Sequence, residues 1–202
     1  MKSKIQVIVQ EVNRSPSSEP NRTRARTPNN PLTSEEVDKL LSNINIMEDK
    51  VLLTFGFSAG VRVGEVPSLE PMNINEAEQC ITIWDEKKDK QRTIFLPLAV
   101  ITLLKAYWDQ RADKSSPRYF NYSKKTIERK IQHWTQKVLA KKKSWHCVRH
   151  TYITLSSERK IPIEIVINNT GDKPSTILQY YSHPSAAFIR KEIEEKKLFK
   201  VL

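Results

Sequence analysis

At 202 residues, 38% hydrophobic and 28% charged, the chain is long enough for one good-sized core plus extensions, and no stretch is apolar enough to cross a bilayer. A formal net charge of +11 makes attraction to a polyanion the simplest use of its field, although a basic surface kept for solubility has the same composition. Residues 1–30 account for +4 of that charge and the remainder for +7, so the folded part holds most of it. The opening MKSKIQVIVQEV has too short an apolar run for a secretory signal, and the expected compartment is the cytoplasm. Cys80 and Cys147 are too far apart for a metal-type spacing and are expected as reduced, partly buried thiols.

In chain order, Ile5–Val9 suits one short strand. Residues 13–31 are rich in Pro, Ser, Asn and Arg and cannot bury a core, so residues 1–31 are expected to form an arm or linker. Arg22, Arg24 and Arg26 could track phosphates there, or simply be solvated. One domain is expected over residues 32–202. Thr33 with Glu36 makes a capping box before Val37, Leu40, Leu41 and Ile44 at helical spacing. A second apolar helix is predicted over 48–59, ending at Gly60, and a helical turn over 61–69. Residues 80–84 and 93–96 are rich in β-branched side chains and predict a hairpin whose charged tip is 85–92. Helices follow over 98–111, 123–140 and 144–158, then from Pro162 to Asn169 and from Ser175 or Thr176 through Tyr181, with a charged amphipathic helix at 186–199. The fold class is mainly α with a small antiparallel hairpin.

A phosphodiester needs a nucleophile and cations that neutralise developing charge in place. There is no Gly-rich phosphate loop or acidic cluster to argue for nucleotide or Mg²⁺, so no metal or cofactor is expected and the cations must be side chains. His146-x-x-Arg149-His150 places a guanidinium and two imidazoles close together on a helix. A zinc reading fails for want of a third nearby ligand.

His146-Cys147-Val148-Arg149-His150-Thr151 resembles the H-x-L-R-H-[ST] box of tyrosine recombinases. The segment from Thr170-Gly171-Asp172 to Tyr181-Ser182-His183 resembles that family's L-G-H-x-x…T-x-x-Y-x-H segment. Ala59-Gly60-Val61-Arg62-Val63-Gly64-Glu65 resembles its T-G-x-R-x-[SG]-E box. The resemblance covers about residues 32–199 and implies the catalytic-domain fold shared with type IB topoisomerases. It implies Arg62 and Arg149 as phosphate clamps, His146 as a phosphate contact, and His150 and Glu65 as supports. Lys87 would be the general acid in a K-x-x-K-x-R pattern ending at Arg92, with Lys88 and Lys90 within reach of the same role. Tyr181, nine residues after Asp172, would be the nucleophile, and Tyr180 a core-facing helix residue. Lys88, Lys90, Arg92, Lys141, Lys142 and Lys143 are expected to meet DNA.

Asp172 departs from the family pattern, where a His or Trp donates to the phosphate; a carboxylate only accepts. Either the site is weakened, or Lys173 takes over as donor, or Asp172 faces away; substitution by Lys173 is the favoured reading. The resemblance implies a site-specific recombinase or integrase working through a 3′-phosphotyrosyl intermediate. Its partners would be double-stranded DNA and, on two DNA sites, three further protomers, with a monomer off DNA. The helix at 186–199 would dock on a neighbour or on its own domain. The family's N-terminal clamp domain has no counterpart in the first thirty or so residues, which implies a fragment or a compact integrase with weak DNA binding. Type IB topoisomerase-like activity and a non-catalytic DNA-binding remnant are the alternatives.

Overall fold

The computed structural model describes residues 30–85 and 88–181. The expected arm, the strand at 5–9 and the helix at 186–199 lie outside the described residues.

Helix α1 spans Ser34–Ser42. Thr33 Oγ1 accepts from the Glu36 N–H at 3.3 Å while a Glu36 carboxylate oxygen accepts from the Thr33 N–H at 3.1 Å, so each satisfies a donor the helix start would orphan. Helix α2, Met47–Ala59, buries Val51, Leu52, Leu53, Phe55 and Phe57 and is therefore apolar nearly all round. Gly60 ends it at φ +62°, a left-handed conformation that costs glycine little. The expected helical turn over 61–69 is instead a loop closed by a short 3₁₀ turn, Val66–Ser68; a second such turn follows at Pro71–Asn73.

Three antiparallel strands, β1 (Ile74–Asn75), β2 (Cys80–Asp85) and β3 (Lys90–Phe95), lie in the order β1-β2-β3. The hairpin is longer than expected. Asp85 pairs with Lys90 and Ile83 with Arg92, so Asp85, Lys90, Gln91 and Arg92 belong to strands rather than to the tip. Two-residue alternation explains this: Ile81, Ile83 and Asp85 share the buried face, and Arg92, opposite Ile83, shares it too. β1 is too short to leave a periodic signal.

Helices α3 (Leu98–Gln110), α4 (Lys124–Leu139), α5 (Trp145–Glu158), α6 (Ile163–Thr170) and α7 (Pro174–Tyr181) follow, each within a residue or two of its expected bounds. Ser123 Oγ caps α4 by accepting from the Thr126 N–H at 3.1 Å. Among the described residues, no helix is long and apolar enough to cross a membrane.

The core has two parts. The larger draws on α1 to α4, the sheet and the first half of α5, where Trp145, Cys147 and Val148 are buried. The smaller joins Tyr152 and Ile153 of α5 to Val166 of α6 and Ile177 of α7. Helix α5 thus runs from one cluster into the other. Cys80 and Cys147 are both buried free thiols.

Gly60 sits where α2 meets this helix, and a Cβ there would lie 2.3 Å from Tyr152 Cδ1. Gly60→Ala therefore adds a steric collision to left-handed strain, and an expected loss of about 2–3 kcal/mol follows. Urea unfolding should show a lower midpoint with an unchanged slope.

Candidate active site

Arg149 lies on α5 at the seam between the two clusters, with its side chain only 5% exposed. A guanidinium cannot lose its proton there, so burial demands acceptors. Two helix ends provide them. Arg149 Nη1 donates to the Gly60 carbonyl at 2.6 Å, and Nη2 donates to the Thr170 carbonyl at 2.8 Å. Both carbonyls stand at helix C-termini, where unpaired oxygens and the helix dipole favour a cation. Both helices stop at left-handed glycines, Gly60 at φ +62° and Gly171 at φ +66°. One turn earlier on α5, Trp145 Nε1 donates to the Val61 carbonyl at 2.9 Å, so the loop carrying Arg62 is pinned to α5 twice.

Arg62 reaches three carboxylates. Nη1 lies 3.1 Å from Glu65 and 3.2 Å from Asp85, and Nη2 lies 2.8 Å from Asp172 Oδ1. Glu65, buried at the start of the 3₁₀ turn, also accepts from the Arg62 backbone N–H at 2.6 Å. Arg92 closes the network: Nη1 and Nη2 grip the two oxygens of Glu65 at 2.6 and 2.8 Å, and Nε donates to the Asn169 carbonyl at 3.2 Å. Arg92, expected to meet DNA, is thus engaged within the protein. Its side chain is 8% exposed and held on the inner face of the hairpin, because the strand register puts it beside Asp85. Three arginines, Arg62, Arg92 and Arg149, are thus matched by three carboxylates, Glu65, Asp85 and Asp172.

Asp172 faces inward, not away. Its Oδ2 lies 2.5 Å from Arg149 Nη2 while Oδ1 takes Arg62, so one carboxylate bridges both guanidiniums. Burial works against its charge, but the hydrogen bond and charge of Arg149, then those of Arg62, outweigh it and hold the carboxyl below its ordinary range. Burial likewise disfavours the charged Arg149. Lys173 is exposed beside this bridge.

His146 and His150 stand on the solvent side of α5. Their Nε2 atoms are 2.6 Å apart, and His150 Nδ1 lies 2.5 Å from the Tyr180 hydroxyl. Burial, then Arg149, depresses the pKa of His146; burial, then His146 and Arg149, depresses that of His150. Tyr180, expected to face the core, packs on the smaller cluster with its ring while its hydroxyl meets the histidines. Tyr181 packs on the smaller cluster and donates to the Ile161 carbonyl at 3.0 Å. Adjacent helix residues point about 100° apart, so α7 cannot present both hydroxyls to one place. Burial raises the pKa of both tyrosines.

Among the lysines, Lys87 lies outside the described residues, as do Arg22, Arg24, Arg26 and His183. Lys88 and Lys90 are exposed at the hairpin end. Lys141 pairs with Glu36, and Lys143 Nζ donates to the Asn30 carbonyl at 3.0 Å, which ties both to the start of the domain; Lys142 is exposed. Asp85 was absent from the residues expected at the site, although its two-residue spacing from Ile81 and Ile83 was a usable signal. The Gly60 and Thr170 carbonyls carry no side-chain signal at all.

The phage integrase family profile matches residues 30–187, and the chain belongs to this family. It is 29% identical over 182 residues to tyrosine recombinase XerA of Pyrococcus furiosus, covering 85% of this chain and 63% of that relative. The chain thus spans less than two thirds of the length of this relative. The crystal structure of XerA recombinase superposes with a TM-score of 0.66 at 22% identity, over 92% of this chain and 68% of that one. XerH site-specific recombinase bound to its difH substrate gives 0.64 at 20% identity, over 86% of this chain and 53% of that one. The fold is that of tyrosine recombinase catalytic domains.

A carboxyl depressed in the folded chain stabilises it fully above its unfolded pKa of about 4, and that contribution vanishes as pH falls through the folded value. Asp172→Asn should therefore melt below the parent protein at pH 7, with the gap closing below pH about 4. A gap that stays constant down to pH about 2 would mean the bridge to the arginines adds no stability.

Proposed function

We propose that the chain is the catalytic part of a site-specific recombinase that breaks and rejoins double-stranded DNA through a 3′-phosphotyrosyl intermediate. One observation carries this reading. Arg62 Nη2 and Arg149 Nη2 converge at 2.8 and 2.5 Å on the two oxygens of a single carboxylate, so the pair is spaced to grip two oxygens of one anion. A phosphodiester offers two such oxygens. In this reading the Tyr181 hydroxyl releases its proton to water as its oxygen bonds to phosphorus, the bond to the 5′ oxygen breaks, and Lys87 gives that oxygen its proton. A 5′ hydroxyl of the partner duplex then reverses the step, with the bond energy conserved in the covalent link.

Two rearrangements are required. Asp172 must yield the arginines to the phosphate. Tyr181 must leave the Ile161 carbonyl, a loss of about 1 kcal/mol for one hydrogen bond. The family relation and the net charge of +11 support DNA as the partner and the cytoplasm as the place of work. By the same relation, four protomers act on two DNA sites and the chain is monomeric away from DNA.

A second reading, a DNA-binding relative with suppressed cleavage, is favoured by Asp172 itself, which repels the phosphate it would have to admit. Nicked suicide duplexes tiled across the encoding replicon, resolved on denaturing gels, separate the two. Under the first reading a covalent adduct forms, is lost in Tyr181→Phe and persists in Tyr180→Phe. Arg149→Lys should lower its rate by about a hundredfold or more, because a point charge cannot hold two carbonyls and a phosphate at once. Under the second reading no duplex yields adduct until Asp172→His restores a donor.

A further inference from the structure

We propose that Tyr180 is a positioning residue for this site: its hydroxyl donates to His150 Nδ1 and thereby fixes His150 as the Nε2–H tautomer and His146 as the Nδ1–H tautomer. The consequence for cleavage rests on the recombinase reading; the tautomer assignment does not.

The geometry is a chain of three rings. Tyr180 Oη lies 2.5 Å from His150 Nδ1, and His150 Nε2 lies 2.6 Å from His146 Nε2. His146, His150 and Ser157 fall on one stripe of α5, and α7 packs along it. Ser157 Oγ donates to the Tyr180 backbone carbonyl at 3.0 Å, and the side chain of Ile177, one turn earlier, is fully buried. Tyr180 is thus fastened to α5 at its backbone and at its hydroxyl.

Proton counting then decides the tautomers. His146 faces Arg149, Asp172 and Glu128, and His150 faces His146, Arg149 and Asp172; burial, the first cause for each, favours the neutral rings. Burial also keeps the proton on Tyr180. A neutral pair of imidazoles joined through Nε2 has two proton orders. If His146 donates, His150 must carry its proton on Nδ1 and offer it to the phenol oxygen. If His150 donates, its Nδ1 is bare and accepts the phenol proton. A phenol is the better acid and an imidazole nitrogen the better base, so the second order wins. His146 then keeps its proton on Nδ1, the nitrogen not engaged by His150. That N–H is a donor for a phosphate oxygen, where the other tautomer would present a lone pair.

The test is ¹⁵N NMR of the histidine-labelled chain without DNA, with resonances assigned through His133→Gln, His183→Gln and His146→Gln. The expected result is His150 protonated on Nε2 and His146 on Nδ1, with that pattern lost in Tyr180→Phe, which keeps the ring and the Ser157 bond. A wild-type His150 protonated on Nδ1, or an unchanged pattern in Tyr180→Phe, overturns the proposal. In single-turnover cleavage Tyr180→Phe should form adduct roughly ten- to a hundredfold more slowly at unaltered DNA affinity. An unaltered rate, or adduct lost in Tyr180→Phe yet kept in Tyr181→Phe, also overturns it. If the wild-type chain forms no adduct, the recombinase reading fails and the NMR result alone decides the role of Tyr180.

Discussion

The buried guanidinium of Arg149, held between the C-terminal carbonyls of α2 and α6, is the contact around which the rest is arranged. It joins the end of a helix in the larger core to the end of one in the smaller. A buried cation without acceptors would cost several kcal/mol, so the two helix ends are held where their oxygens can serve it. Both must stop sharply and turn away, which is why each ends in a left-handed glycine. The turn at Gly171 then closes on the hairpin, where a Cβ would press within 3.0 Å of Asp85 and 3.2 Å of Arg92.

Around that clamp the charges balance in pairs. Buried ion pairs add little net stability, because desolvation offsets much of the attraction, but they specify geometry strongly. Glu65 illustrates this. It takes Arg62 through both backbone and side chain and Arg92 through two parallel hydrogen bonds. The hairpin, the loop after α2 and the end of α6 are thereby set in one arrangement. Asp172 differs from Glu65 and Asp85 in being 20% exposed, and it is the carboxylate shared by Arg62 and Arg149. In the proposed function, an arriving anion would have to exchange with it rather than enter an open cationic cradle.

Helix α5 works as the ruler of the site. One stripe sends Trp145 and Arg149 to the carbonyls of Val61 and Gly60, and another sends His146, His150 and Ser157 to α7. The placement of Arg149 and that of the tyrosine-bearing helix are therefore both set by the rotation of a single helix.

The helices, their caps and the hairpin were legible in the chain because each rests on local rules: the Thr33–Glu36 box, the stop at Gly60, the β-branched run at Ile81–Ile83, Pro162 before α6. The three motif boxes likewise marked Arg62, His146 and Arg149 as residues to bring together. What the chain did not reveal depends on partners far apart in sequence. Arg92 reads as one more basic residue in a charged hairpin until the register buries it against Glu65, 27 positions away. Asp172 reads as a defect in a motif until Arg62, 110 positions away, takes one of its oxygens. Tyr180 and Tyr181 differ by one residue, and only the packing of α7 on α5 and α6 decides which hydroxyl meets His150 and which meets the Ile161 carbonyl. Local propensity and spacing set which elements form, whereas the burial of charge, which must find its counter-charge wherever the fold brings it, decided what each residue of the site does.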